Sequence, residues 1–132
     1  MDAKQPVPKY PSLHQTEDFA SVYANHSFIE PSEWDLKVTF GQLNQSLDPA
    51  IIEQHTAVTL PWNQAKIFLH FLRVQVAAYE ITHGTIPLAP SILPPEVPTV
   101  TDEARKLDPK MDDIHAMISR ARQELIEGKP FV

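Results

Sequence analysis

From Trp34 onward the chain alternates. Trp34, Leu36, Val38 and Phe40 are apolar, while Asp35, Lys37, Thr39 and Gly41 between them are polar or small. This two-residue period predicts a strand with one face buried and the other in water. A weaker alternation precedes it over Ser21–Glu30, with Val22, Ala24 and Phe28 on one face and Tyr23, Asn25 and Ile29 on the other; Pro31, Ser32 and Glu33 then supply turn chemistry. A third, more polar alternation follows the connection "NQSLDP". Ile52, Gln54, Thr56, Val58 and Leu60 interleave with Glu53, His55, Ala57 and Thr59. Connections this short cannot hold parallel crossovers, so the three strands are expected to pair antiparallel.

The period then changes. Ala65–Gly84, "AKIFLHFLRVQVAAYEITHG", reads as a long helix, with Pro61 suited to its first turn and Gly84 to the position just past its end. At about 100° per residue, Ala65, Phe68, Leu69, Leu72, Val76 and Tyr79 form one stripe. Ile67, Phe71, Val74, Ala78 and Ile81 form a second, roughly opposite stripe. Polar residues fill the seams, with Lys66, His70, Arg73 and Glu80 on one and Gln64, Gln75 and Thr82 on the other. A three-stranded sheet can cover only one stripe. Leaving the other in water forgoes about 1.5–3 kcal/mol for each large side chain. The sequence therefore predicts that Ile67, Phe71, Val74, Ala78 and Ile81 meet a further element. Within the chain the candidate cover is the Met111–Leu125 helix with its Pro-rich lead-in; a homodimer packed about a twofold axis is the expected arrangement, because a sheet with one helix is a thin basis for independent stability.

The rest of the chain divides by composition. Residues 1–18 are polar, carry Pro6, Pro8 and Pro11 and show no periodicity, as a flexible tail would. Residues 19–86 hold the strand–strand–strand–helix domain. Residues 87–109 contain Pro87, Pro90, Pro94, Pro95, Pro98 and Pro109 and are expected to be mostly extended. Over 110–128 a second helix is predicted, with Met111, Ile114, Ile118, Ala121 and Leu125 as its apolar stripe, Asp108 as its cap and Pro109 in its first position; Gly128 would end it. The predicted class is α+β, a three-stranded antiparallel sheet followed by a long helix, a Pro-rich segment and a C-terminal helix.

Four stretches, "YAN" at Tyr23–Asn25, "WDLKVTFGQ", "AVTLPWNQAK" and "YEITHGTI", together resemble a small prokaryotic family of unknown function. Its members carry a Tyr-Ala/Ser-Asn start, a hydrophobic-Asp segment leading to Phe-Gly, an Ala-Lys early in a helix, and Tyr-Glu followed by Phe-Gly-x-Ile. The likeness covers about Tyr23 to Ile86. By this resemblance Tyr23, Asn25, Asp35, Phe40, Gly41, Ala65, Lys66, Tyr79, Glu80 and Gly84 occupy the family's marked positions, while His83 departs from the aromatic residue usual before the glycine. The resemblance implies the compact strand–helix unit and brings no activity with it.

Composition narrows the chemistry. Among 132 residues there are 13 prolines, 3 glycines and no cysteine, so neither a disulfide framework nor a thiolate metal site is available and a reducing, cytoplasmic setting is expected. No signal-peptide core or membrane-length apolar run is present. A net charge of −6 with scattered basic residues opposes nucleic-acid binding. The three glycines stand too far apart for a phosphate loop, and no nucleophile turn is present. Glu80-x-x-His83 copies the spacing of di-iron carboxylate bundles, but as a single copy near a helix end it is a weak metal candidate. His14, His26, His55 and His115 lack ligand spacing. Asp35 and Lys37 could pair across the sheet with Glu53 or His55. Tyr23 and Asn25 either hydrogen-bond to neighbouring backbone or line a groove. The function expected on these grounds is that of a non-enzymatic, homodimeric protein-interaction module without a cofactor, its C-terminal segment acting as a docking arm on the partner subunit or another protein. The alternative is a ligand or metal site at the dimer seam built from His70, Arg73, Glu80 and His83.

Overall fold

The computed structural model describes residues 3–7 and 9–128. Met1, Asp2 and Pro8 of the N-terminal segment, and residues 129–132, lie outside the described residues. The chain divides into two compact units, Met1–Leu60 and Pro61–Val132.

The first unit is a three-stranded antiparallel sheet in the order β1-β2-β3, with β1 at His26–Pro31, β2 at Asp35–Asn44 and β3 at Ile51–Pro61. In the β1–β2 hairpin Ile29 stands opposite Val38, Phe28 opposite Thr39 and His26 opposite Gly41. Directly opposed residues share a face. Ile29, Leu36, Val38 and Phe40 therefore lie on one side, and His26, Phe28, Glu30, Lys37, Thr39 and Gly41 on the other.

Three sequence expectations change here. The first strand begins at His26, because the residues before it make side-chain and backbone bonds of their own. Trp34 lies outside β2 and is exposed. The hairpin turn is built instead around Ser32: its Oγ accepts from the Trp34 and Asp35 N–H groups at 3.1 and 3.0 Å and donates to Asp35 Oδ1 at 2.9 Å. This engages the Asp35 carboxylate and N–H at the turn. Finally, β2 does not have one wet face, since Thr39 on the polar side is as buried as Val38 on the apolar side, each 9 % exposed. As the central strand, β2 is shielded at both edges, and Thr39 sits opposite the ring of Phe28.

The second unit opens with α1, Trp62–His83. Pro61 takes the extended N-cap conformation, and Gly84 follows the last turn at φ 89°, ψ 172°, with its N–H donating to Glu80 O. That corner of backbone space is essentially reserved for glycine, which explains the residue chosen. The Pro-rich stretch is extended except for a 3-10 turn at Pro90–Ile92 and a short helix, α2, at Asp102–Leu107. The helix interrupts the extended segment because Thr101 caps it, accepting the Ala104 N–H, with Asp102 and Glu103 in its first turn and Arg105 and Lys106 in its last. Arg105 bonds both Asp102 and Asp112, tying α2 to α3, Met111–Glu127. Asp108 closes α2 rather than capping α3, and its carboxylate accepts the Lys110 N–H at 2.9 Å. Gly128 ends α3 in the left-handed conformation.

Candidate functional site

No side chain among the described residues is completely withdrawn from solvent; Val38, Thr39 and Ala65, the most buried, are each still 9 % exposed. The sheet carries exposed Phe28 and Ile29 on opposite faces of β1, and Ile51 and Ile52 on opposite faces of β3. Both stripes of α1 are open as well. Ile67, Phe71, Val74 and Ile81 are 51, 59, 48 and 84 % exposed, Ala78 is exposed, and Phe68, Leu69, Leu72 and Tyr79 on the other stripe are about half exposed. The four large side chains of the second stripe alone represent about 4–7 kcal/mol of forgone burial per chain.

The residues that carry the resemblance do not converge on one place: they lie at the two ends of the β1–β2 hairpin and at the two ends of α1. In the sheet unit the Asn25 amide works as an extra rung of ladder. Its Oδ1 accepts the Leu43 N–H at 2.7 Å, its Nδ2 donates to Leu43 O at 3.4 Å, and its backbone N–H donates to Gly41 O at 3.1 Å. Tyr23 O receives His55 Nε2 at 2.9 Å. A carbonyl only accepts, so Nε2 carries the proton, and in the neutral ring Nδ1 accepts the Thr56 hydroxyl at 2.8 Å. Gly41 follows Phe40 where the backbones of β2 and β3 crowd, and a Cβ there would lie 2.5 Å from Glu53 O. Tyr23, Asn25 and Gly41 thus close the sheet's first corner by backbone hydrogen bonding, and Asp35 closes its hairpin.

In the helical unit Ala65 is buried and Lys66 exposed near the start of α1, while Tyr79, Glu80 and Gly84 build its exit. Glu80 Oε2 accepts the Ile86 N–H at 2.8 Å. The His83 ring stacks on Tyr79 at 4.4 Å, with Nδ1 3.2 Å from Tyr79 O. Glu80 and His83 are both engaged in ending the helix, and among the described residues no group of three or more metal-ligating side chains assembles around them. His70 packs edge-on against Phe71 and stands ten residues from Glu80, about 15 Å along the axis, so His70, Arg73, Glu80 and His83 do not converge.

The half-buried side of α3 coincides with its apolar stripe only at Met111 and Leu125. Arg122 Nε donates to Pro94 O at 2.9 Å, and Gly128 lies beside Thr85. The half-buried side of α3 carries Met111, His115, Ser119, Arg122 and Leu125, leaving Ile114, Met117, Ile118 and Ile126 outward. The C-terminal segment is folded back on its own chain. A periodicity plot cannot see that contact, because it is set by one guanidinium and a distant carbonyl.

Together these features define a small α+β protein in which the Asn25, Ser32 and Glu80 side chains bond to its own backbone and the apolar faces of α1 stand open. The chain belongs to the family described as "Protein of unknown function (DUF3467)", whose profile matches residues 3–88 and so takes in the whole sheet and α1 but not α2 or α3. No curated protein and no solved structure matches the chain. Among the described residues no helix is long and apolar enough to cross a membrane.

Proposed function

We propose that this protein is a cytoplasmic, non-enzymatic interaction module that works as a homodimer, with α1 as the centre of the subunit interface and the C-terminal segment as a docking arm for another protein. The observation that carries the reading is the open second stripe of α1, Ile67, Phe71, Val74, Ala78 and Ile81. Two such stripes meeting about a twofold axis gain about 8–14 kcal/mol of apolar burial between them, which is of the size needed to offset the roughly 4–15 kcal/mol cost of association. The engagement of Glu80 and His83 in the helix exit favours this reading over a metal or small-ligand site. The arm reading rests on α3, whose outward side carries Ile114, Met117, Ile118 and Ile126 on a segment outside the family match. The absence of cysteine supports a reducing compartment, and the net charge of −6 supports a protein rather than a nucleic-acid partner.

The test is affinity capture from the native host with the full chain and with a chain ending at Gly84, each alongside light scattering. The reading predicts that both forms dimerise and that only the full chain retains other proteins. Equal capture by the two forms would remove the arm from the account, and monomeric behaviour of the full chain would remove the dimer.

A further inference from the structure

We propose that the free edge of β3 is a seam at which two copies of this chain join, antiparallel and edge to edge, to make one continuous sheet. The proposal rests on the homodimer reading and adds to it the strand that lies on the twofold axis.

The sheet order β1-β2-β3 leaves two edges, and they differ. β1 has six residues and ends in Pro31, which has no N–H to offer a neighbour. β3 has eleven residues, and between Ile51 and Leu60 it contains no proline, glycine, lysine or arginine. Those are the residues that ordinarily keep one edge from pairing with another. Glu53 is its single formal charge. Among the described residues no further strand pairs with β3, and none of its backbone N–H or C=O groups bonds to the backbone of a turn or loop; its one bond to a loop backbone is from the His55 side chain to Tyr23 O. Its side chains are mostly exposed on both faces.

A second copy of the same strand is the occupant whose chemistry fits. Antiparallel pairing about a twofold is self-complementary, since each outward N–H meets a C=O of the identical strand. The register that uses the whole of Ile51–Pro61 places Thr56 opposite its own counterpart, Ile52 opposite Leu60, Glu53 opposite Thr59 and His55 opposite Ala57. The one charge never faces itself. The apolar pair Ile52–Leu60 falls on the same face as the threonine pair, and both kinds of cross-strand pair support a sheet. Three strands open on both faces are a marginal sheet, and doubling them relieves that. β3 runs into α1 at Pro61 without an intervening loop.

The cysteine-free chain makes the test direct. Single cysteines are introduced into the full chain as Gln54→Cys, Thr56→Cys and Val58→Cys, with Phe71→Cys as a marker for α1. Each variant is checked for dimerisation by light scattering under reducing conditions, then oxidised mildly and resolved on a non-reducing gel. Opposed residues of an antiparallel pair have Cα atoms about 4.5–5.5 Å apart, within disulfide range. Two residues off the axis the counterparts are about 13 Å apart along the strand. Thr56→Cys is expected to cross-link at least tenfold faster than Gln54→Cys and Val58→Cys. A single sharp maximum at either neighbouring position also supports the seam, with the axis shifted. Dimers in which none of the three β3 cysteines cross-links would overturn the seam while leaving the dimer standing. Monomers that do not cross-link would overturn both.

Discussion

Replacing Phe71 by aspartate isolates the role of the second stripe of α1. Phe71 is 59 % exposed in the single chain, so the interface is asked to bury the remaining side-chain surface, a gain of about 1–2 kcal/mol. A twofold interface contains the residue twice, making the loss about 2–4 kcal/mol. At 1.4 kcal/mol per factor of ten, the dimer is weakened by about thirtyfold to several hundredfold. Desolvating two unpaired carboxylates adds to that. The fold of the single chain is largely spared, because an exposed aspartate within a helix costs only about 0.6 kcal/mol in propensity. The assay is sedimentation equilibrium across a concentration series, with far-UV circular dichroism confirming the helix. Phe71→Leu, which keeps most of the apolar surface, is expected to shift the dissociation constant by less than tenfold, and Gln75→Asp, on the polar seam, to leave it unchanged. A Phe71→Asp protein that keeps its helix and dimerises as the parent does would refute the reasoning.

The other predictions concern corners within each unit, read by chemical denaturation at fixed protein concentration because association contributes to apparent stability. Asn25→Ala removes the two amide bonds to Leu43 and is expected to cost about 1–2 kcal/mol, whereas Asn25→Asp keeps the acceptor for the Leu43 N–H and should cost less than the alanine; equal effects would exclude the ladder role. Gly41→Ala and Gly84→Ala should both destabilise, for different reasons. The first is expected to cost about 2–3 kcal/mol through collision with the backbone of Glu53 and Gln54. At Gly84 an added Cβ meets nothing within 4 Å, and the penalty of about 1–3 kcal/mol is that of an L-residue held at φ 89°. A neutral Gly84→Ala would show that the helix exit relaxes readily to another conformation.

The regular elements were legible because their signals are local and periodic. Alternation located β2 and β3, the 100° period located α1 and exposed its two-sidedness, and Pro61 and Gly84 marked its ends. The departures share a cause, which is a polar contact that overrides the local pattern. The Ser32 hydroxyl captures the turn and takes Trp34 out of β2; the Asp108 carboxylate serves Lys110 and leaves α3 without the expected cap. Thr101 starts a helix inside a stretch whose prolines argued for extension. The bond from Arg122 to Pro94 O, 28 residues away, has no local signal either. The candidate site was legible only in part. The apolar stripe of α1 could be read in advance, as could a hydrogen-bonding role for Asn25, but not its partner Leu43 or the bond between His55 and Tyr23 O.

The central claim is that one chain cannot cover its own apolar helix and sheet faces, so that a second copy does. Sedimentation equilibrium of the unmodified full chain at micromolar concentration tests this most directly. The account predicts a species of twice the 14.9 kDa chain mass. A single species at the chain mass, folded and unchanged as concentration rises, would contradict it.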